Sequence, residues 1–444
     1  MSLEVQSATS FGGFVARAQR TGDLVVQPRM GVSDPRAMRA GLLATKRAIA
    51  TSVGTITLDS YTRMGDHAEA AAALAAGSDL NGYPIVAHDL ATTRAVLAGV
   101  AGPDFPVQIR HGSPCPELIF EALISAGLSA TEGGPVSYCL PYSRVPLPDS
   151  VRSWDRSCDI LATLVGTGAE PHLESFGGCM MGQLCPPSLL VALSVLECMF
   201  FCQHGLRSVS LSYAQQTNPD QDREAVLALR RLAAERMPGI DTHVVIYTYM
   251  GVYPRTPGGA TRLLAESARL AIRTGAARLI VKTVAEAHRI PTIAENVAAL
   301  ETAAVAATAE RRNPVVLATE ETGIYEEASA LIDAVLELSD DLGQGLAKAF
   351  ARGYLDVPYC LHPDNAGKAR SYLDPTGRLC WSRTGSMPIR ASAGPGGSVE
   401  LTASGLLASL SYVERKFDNA GIEEHRIVSI SANGGAQREL KGAV

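Results

Sequence analysis

The chain has 444 residues, 46% hydrophobic and 19% charged, which is ample material for a large core and poor material for disorder. Its 39 basic and 45 acidic residues leave a net charge of −6 without any basic stripe, so nucleic acid is excluded as the expected partner. The length suits one large α/β barrel or a few ordinary domains.

The chain starts MSLEVQSATSFGGFVARAQR, which holds no apolar run of signal-peptide length. Short β-rich runs follow at 24–27, 54–59, 84–88, 106–110, 128–132, 207–213, 243–249 and 278–283, with a weaker one at 171–175. Between them lie Ala-rich amphipathic stretches such as 66–76, 116–126, 222–236 and 260–274. Strands alternating with helices imply a parallel sheet with right-handed crossovers. The expected fold is therefore a (β/α)8 TIM barrel of the α/β class, with one strand candidate to spare. The most apolar run, LLVALSVLECMFFC at 189–202, is too short for a bilayer and contains Glu197, so it reads as a buried helix and no membrane association is expected. After Pro291 the chain reads as helices at 296–311 and 326–352, then turns irregular from about 353, punctuated by SAGPGGS at 392–398 and a turn at 433–435. These shifts place the barrel at 1–350 and a C-terminal α+β appendage at 351–444.

Nine cysteines include no C-x-x-C pair and no zinc-finger spacing, so free buried thiols in a reducing, cytoplasmic setting are expected, and no metal site. There is no G-x-S-x-G elbow and no G-x-x-x-x-G-K-[ST] loop.

In such a barrel the active site forms at the C-terminal ends of the strands. There the runs end in Arg29 (LVVQPR), Arg63 (TITLDSYTR), Arg110 (PVQIRHG), Glu132 (TEGGP) and Lys282 (LIVKT). One arginine at a strand end usually pairs with an acid of the barrel rim. Three on one mouth repel unless anions lie between them, and the guanidinium fork grips carboxylates at two points. With Glu132 offering an acceptor for an ammonium group, the set describes a site for an amino dicarboxylic acid.

At Glu132 the sequence reads EGGPVSYCLPY, which is Glu132-x5-Tyr138-x3-Tyr142. This resembles the large (epsilon) subunit of glutamate mutase, or methylaspartate mutase. The likeness continues in QPRMG, LDSYTR, LNGYP, RHGSPCP, PPS and VKTVAEAHRIPT, over about residues 20–310, with fainter similarity in YLDVPYC and NAGKAR. The resemblance implies that Arg29, Arg63 and Arg110 form an arginine claw on the substrate carboxylates. Glu132 would face the amino group, and Tyr138 and Tyr142 would complete the substrate site. Gly31, Asn81, Pro141, Tyr253, Lys282, Glu286 and Ile290 would line adenosylcobalamin, with Lys282 and Glu286 at the adenosyl ribose. It further implies isomerisation of L-glutamate, or a similar amino dicarboxylate, to the 3-methylaspartate skeleton by radical chemistry.

The cobalt-ligating motif D-x-H-x-x-G is missing: Asp241-Thr242-His243 is not followed by the glycine, and His243 reads as an ordinary strand residue. A separate small cobalamin-binding subunit is therefore expected, around a homodimer of large subunits in a heterotetramer. The chain departs from the family at 173–180 (LESFGGCM, against R-E-x-F-G-P-L-T), at His288 and Arg289, at Tyr253, where Phe is common, and in a shorter N-terminus. These departures keep other readings open. One is a cobalamin-independent lyase or aldolase using Lys282 as a Schiff base, another a non-catalytic relative that binds an amino acid or partner, and a third a mutase for a modified glutamate.

Overall fold

The computed structural model describes residues 10–181, 183–314, 320–390 and 402–419. Eight parallel strands form its centre: β1 (Val25–Gln27), β2 (Gly54–Thr57), β3 (Val107–Arg110), β4 (Ala130–Gly133), β5 (His172–Ser175), β6 (Ser208–Ala214), β7 (Asp241–Tyr247) and β8 (Arg278–Ile280). They pair in the order β1-β8-β7-β6-β5-β4-β3-β2. A parallel bridge between Val26 and Ser52 joins the two ends, where Val26 N–H donates to Thr51 O at 2.9 Å. The result is a (β/α)8 barrel.

Helix α1 (Phe11–Thr21) precedes β1, and α2 (Pro35–Arg47) leads into β2. Three short helices, α3 (Ser60–Met64), α4 (His67–Ala75) and α5 (Leu90–Leu97), connect β2 to β3. Single long helices serve the later crossovers: α6 (Glu117–Ser125), α7 (Leu147–Ala162), α8 (Pro187–Gln203), α9 (Pro219–Arg236), α10 (Pro257–Thr274) and α11 (Ile293–Arg312). Then come α12 (Ile324–Leu336), α13 (Leu342–Arg352), a hairpin of β9 (Arg370–Leu373) and β10 (Leu379–Arg383), and α14 (Ala403–Leu410).

The apolar run at 189–202 is indeed a buried helix. It forms most of α8, which lies between β5 and β6 on one side and α9, α12 and α13 on the other, so it is apolar all round. Two expectations need correction. The run 84–88 is no strand: Tyr83 makes one bridge to Leu58, and Pro84, lacking an N–H, starts a turn in which its carbonyl accepts from Ala87 and His88. The weak run 171–175 is the fifth strand instead. The helix expected over 326–352 is two helices, because Asp341 accepts from Gln344 N–H and caps a new start at α13. The turns expected at 392–398 and 433–435 lie outside the described residues.

The barrel is filled by polar side chains, where bulky aliphatics are the usual choice. Gln27 donates to Thr55 Oγ1 at 2.8 Å and to Gln108 Oε1 at 2.7 Å. Arg278, fully buried, bonds to Gln27, Glu174 and Ser210. Below them His172 stacks on His243, ring centroids 5.1 Å apart, and Phe11 of α1 stacks on His172 at 5.0 Å, closing the N-terminal end of the barrel. The tail packs on the barrel too, since Leu355, Val357, Trp381 and Met387 belong to the main hydrophobic cluster.

Candidate functional site

The register of the sheet builds the floor of the site. Ile109 stands opposite Thr131, so the next pair inward, Arg110 on β3 and Glu132 on β4, lies side by side. Arg110 Nε donates to Glu132 Oε2 at 2.7 Å, and Tyr138, on the loop after β4, donates its hydroxyl to Glu132 Oε1. Both members of the ion pair are almost fully buried. Burial works against the Arg110 charge, but Glu132, Tyr247 and Tyr138 together outweigh it and hold the guanidinium more firmly protonated than usual. Arg110 Nη1 is buried with no hydrogen-bond partner among the described residues, which leaves a cationic donor for a ligand.

Arg63 enters from α3, whose start is fixed by Asp59: its carboxylate accepts from Thr62 N–H at 3.0 Å and from the Thr62 hydroxyl at 2.5 Å. The guanidinium lies over Gly112, where a Cβ would come within 3.6 Å of Arg63 Nη1. The buried Nε of Arg63 also lacks a partner. His111 lies close to both Arg63 and Arg110. Burial first, and then those two cations, depress it to about 3, and its Nδ1 accepts from Ser113 N–H at 3.0 Å, so the ring is neutral.

Nearer solvent, Arg29 Nη1 and Lys282 Nζ meet on one oxygen of Glu286, at 2.9 Å and 3.3 Å. Burial lowers the Lys282 ammonium to about 8, against the pull of Glu286 and with Arg29 adding to the fall. Its Nζ lies 4.9 Å from the centroid of the Tyr253 ring, whose buried hydroxyl has no partner among the described residues. Tyr142 is 47% exposed, but its hydroxyl lies close enough to Arg29, Glu132 and Arg110 to feel their charges, so Tyr142 links mouth and floor.

The structure thus brings Arg110, Glu132 and Tyr138 into one bonded group and Arg29, Lys282, Glu286 and Tyr253 into another, with Tyr142 between them and Arg63 beside His111. Pro141 and Tyr142 line a groove of about 480 Å³ with Met64, Met181 and Tyr359. Ile290 stands on the rim, 67% exposed. Asn81 is less available, since its Oδ1 accepts from Ser60 N–H and from the Ser60 hydroxyl at the start of α3. Gly31 packs flush on β2, where any Cβ would come within 2.0 Å of Thr57 O.

Several residues of the site were not singled out from the sequence. Tyr247 of β7 places its hydroxyl 2.7 Å from Glu132 Oε2 and also bonds Glu174. Phe176 packs against Tyr138, Tyr142 and Tyr247. Glu197 of α8 accepts from Val136 N–H, Ser137 N–H and the hydroxyls of Ser137 and Ser175, which ties down the loop carrying Tyr138. Inward parity on β5 and β7 was the signal available for Glu174 and Tyr247. The departure at 173–180 falls partly in packing: Leu173 points into the main hydrophobic cluster while its neighbours His172 and Glu174 face the barrel interior.

His243 lies stacked in the barrel interior, where burial keeps it well below the usual imidazole range. Among the described residues no cluster of three or more His, Cys, Asp or Glu could hold a metal ion, and no helix is long and apolar enough to cross a membrane.

The family model described as methylaspartate mutase E chain (MutE) matches residues 6–396. Similar relatives include the protein named glutamate mutase epsilon subunit from Yersinia enterocolitica serotype O:8 / biotype 1B, 31% identical over 401 residues, covering 87% of this chain and 82% of that one. The proteins of the same name from Escherichia coli O157:H7 and Desulfitobacterium hafniense (strain Y51) are 30% and 31% identical, over 84% and 86% of this chain and 80% and 81% of theirs.

Proposed function

The chain belongs to the methylaspartate mutase E chain family, and from that premise we propose that it holds L-glutamate for conversion to 3-methylaspartate with adenosylcobalamin and a separate cobalamin-binding subunit. It is the large subunit of an isomerase. The observation that carries the substrate reading is the pair of unpartnered buried donors, Arg110 Nη1 and Arg63 Nε, beside a buried carboxylate at the strand ends. Cationic donors left bare at this depth are costly unless an anion completes them.

In this reading Arg29, Arg63 and Arg110 clamp the two ligand carboxylates, and Glu132, held by Arg110 and Tyr138, accepts from the ligand ammonium. Tyr142 closes over the bound molecule from the mouth. Fixing both carboxylates keeps the two ends of the carbon skeleton in register while it rearranges.

The residues around the mouth fit adenosylcobalamin. Exposed apolar side chains from four loops, Tyr61 and Met64, Tyr142, Val252 and Ile290, form a collar suited to the face of a macrocycle. The pair of buried Lys282 and half-buried Glu286, with the Tyr253 hydroxyl that has no partner among the described residues, offers donors and an acceptor for ribose hydroxyls. Gly31, Asn81 and Pro141 lie on the same side and would complete the contact. When bound, adenosylcobalamin supplies the cobalt–carbon bond that starts radical chemistry. His243 stacks on His172 toward the N-terminal end of the barrel, away from the mouth, so a partner subunit would supply the protein ligand to cobalt.

The test mixes this chain with the cobalamin subunit of a relative and adenosylcobalamin, then follows glutamate to 3-methylaspartate. A complex that assembles and binds cobalamin but leaves glutamate unchanged would overturn the reading.

A further inference from the structure

The ladder sets Glu132 on β4 directly opposite Glu174 on β5. Like charges facing each other across strands are unfavourable, and more so when both side chains are buried. Two cations offset them, one each: Arg110 on Glu132 and Arg278 on Glu174. Between the two carboxylates stands one hydroxyl, that of Tyr247, which is 2.7 Å from Glu132 Oε2 and also bonded to Glu174 Oε1. A phenol has a single proton, so it bonds one carboxylate at a time and leaves the other oxygen facing a lone pair. Glu174 Oε2 has other donors, in Arg278, Gln108 and Ser210, but among the described residues its Oε1 is given only Tyr247. Glu132 Oε2 has Arg110 besides. As it stands, this buried group is one donor short.

We propose that Tyr247 and Glu174 form the element that selects a ligand carrying an ammonium group, the arriving cation supplying the missing donor to Glu132 while the Tyr247 proton turns to Glu174. The inference rests on the reading that Glu132 faces the ligand's amino group. It adds a second carboxylate and a proton that moves between two hydrogen bonds with no bond to carbon made or broken. Without an ammonium, Glu132 Oε2 and Glu174 Oε1 compete for the one Tyr247 proton. With it, Tyr247 Oη, which already accepts from Arg110 Nη2 at 3.4 Å, keeps a second lone pair for the same ammonium, and the ammonium faces two carboxylates instead of one. Tyr247 and Glu174 are positioning and selectivity residues here, since the reacting carbons lie elsewhere.

Two substitutions separate this role from simple support. Tyr247→Phe keeps the ring that lies 5.1 Å from the Arg110 guanidinium and removes only the hydroxyl. Glu174→Gln keeps shape and one carbonyl oxygen for Tyr247, removes the charge and turns the other oxygen into an NH2 donor beside Arg278, so its melting temperature is checked first. Binding of glutamate and of glutarate, the same dicarboxylate without the amine, is measured by calorimetry on the assembled complex, together with KM and kcat for glutamate. In the native complex glutamate binds more tightly than glutarate, by on the order of a hundredfold. Each variant should cut that preference by about tenfold or more through weaker glutamate binding, with glutarate unchanged and the loss appearing in KM before kcat. Parallel loss of both ligands, or an unchanged preference, overturns the inference. If the native complex itself fails to prefer glutamate, the substrate reading fails with it. Native turnover with an unmoved preference in both variants sinks the selectivity element alone.

Discussion

Arg110 has Nε on Glu132, Nη2 toward Tyr247 at 3.4 Å, and Nη1 with no partner among the described residues. Lysine offers one nitrogen and cannot cover all three. Arg110→Lys should therefore weaken glutamate binding by about tenfold or more, because each charge-assisted bond is worth ~1.5–3 kcal/mol, while cobalamin affinity of the complex stays the same. Equal loss of both would show that the claw is misassigned. Glu197 gives a second test through pH. Burial raises its carboxyl to about 7, against four hydrogen-bond donors. In the unfolded chain it ionises at the ordinary carboxylate value, ~4.3. The folded state therefore holds the extra proton between those values, and its contribution to stability falls as pH rises through that window. Glu197→Gln has no such titration. The stability advantage of the native chain over the variant should shrink between about pH 5 and pH 8 in urea titrations, and a constant gap would show that the carboxyl is already ionised throughout. The arginines and Glu132 were legible in the sequence because charge at the end of an apolar strand is conspicuous. Glu197, inside an apolar helix, showed as an anomaly without a role, and its partners come from the end of β5, 22 residues away, and from the loop after β4, about 60 residues away.

At the level of elements, seven strands were legible from β-rich runs bounded by turn residues. The misplaced one shows why pattern alone fails. Residues 84–88 look like a strand by composition but begin at proline, whereas β5 reads HLES, with two polar residues facing a polar barrel interior. A strand whose inward side chains are ionic carries no hydrophobic alternation to detect. The tail was legible only as irregular, and we propose that 351–444 is an appendage docked on the barrel, not an independent unit. Its segment at 402–419 reaches the loop carrying Tyr253. Asp418 accepts from Arg255 N–H at 3.0 Å and Thr256 N–H at 3.1 Å, Glu414 pairs with Arg255 at 2.8 Å, and Val413 packs with Tyr249 and Tyr253. Asp418 thus joins Thr256 in capping the start of α10. Removing a capping carboxylate usually costs ~1 kcal/mol. Asp418→Ala should speed amide hydrogen exchange across 251–259 by several-fold and leave β1 to β6 unchanged. Uniform protection in the variant would rule out a latch on this loop.

For the whole molecule, alternation of strands and helices was enough to expect the barrel, but nothing local announced that its interior is ionic. The Arg278–Glu174 pair spans 104 residues, and such pairing becomes visible only once the strands are in register. That interior also bears on assembly. It places His243 toward the N-terminal end of the barrel, away from the mouth, while exposed apolar side chains stand on the segments that follow β2, β4, β7 and β8. A monomeric soluble protein rarely leaves such a collar uncovered. We propose this collar as the surface on which cobalamin and its carrier subunit sit. Ile290, 67% exposed at the end of the loop after β8, provides the probe. Ile290→Asp places a charge in that seam without touching the core, so the isolated variant should melt within a degree or two of the native chain. Its complex with the cobalamin subunit, followed by sedimentation in the presence of cobalamin, should dissociate at about tenfold higher concentrations, since an unpaired charge buried at an interface costs a few kcal/mol. Native-like assembly of the variant would move the cobalamin face away from the β8 rim and, with it, the proposed roles of Lys282, Glu286 and Tyr253.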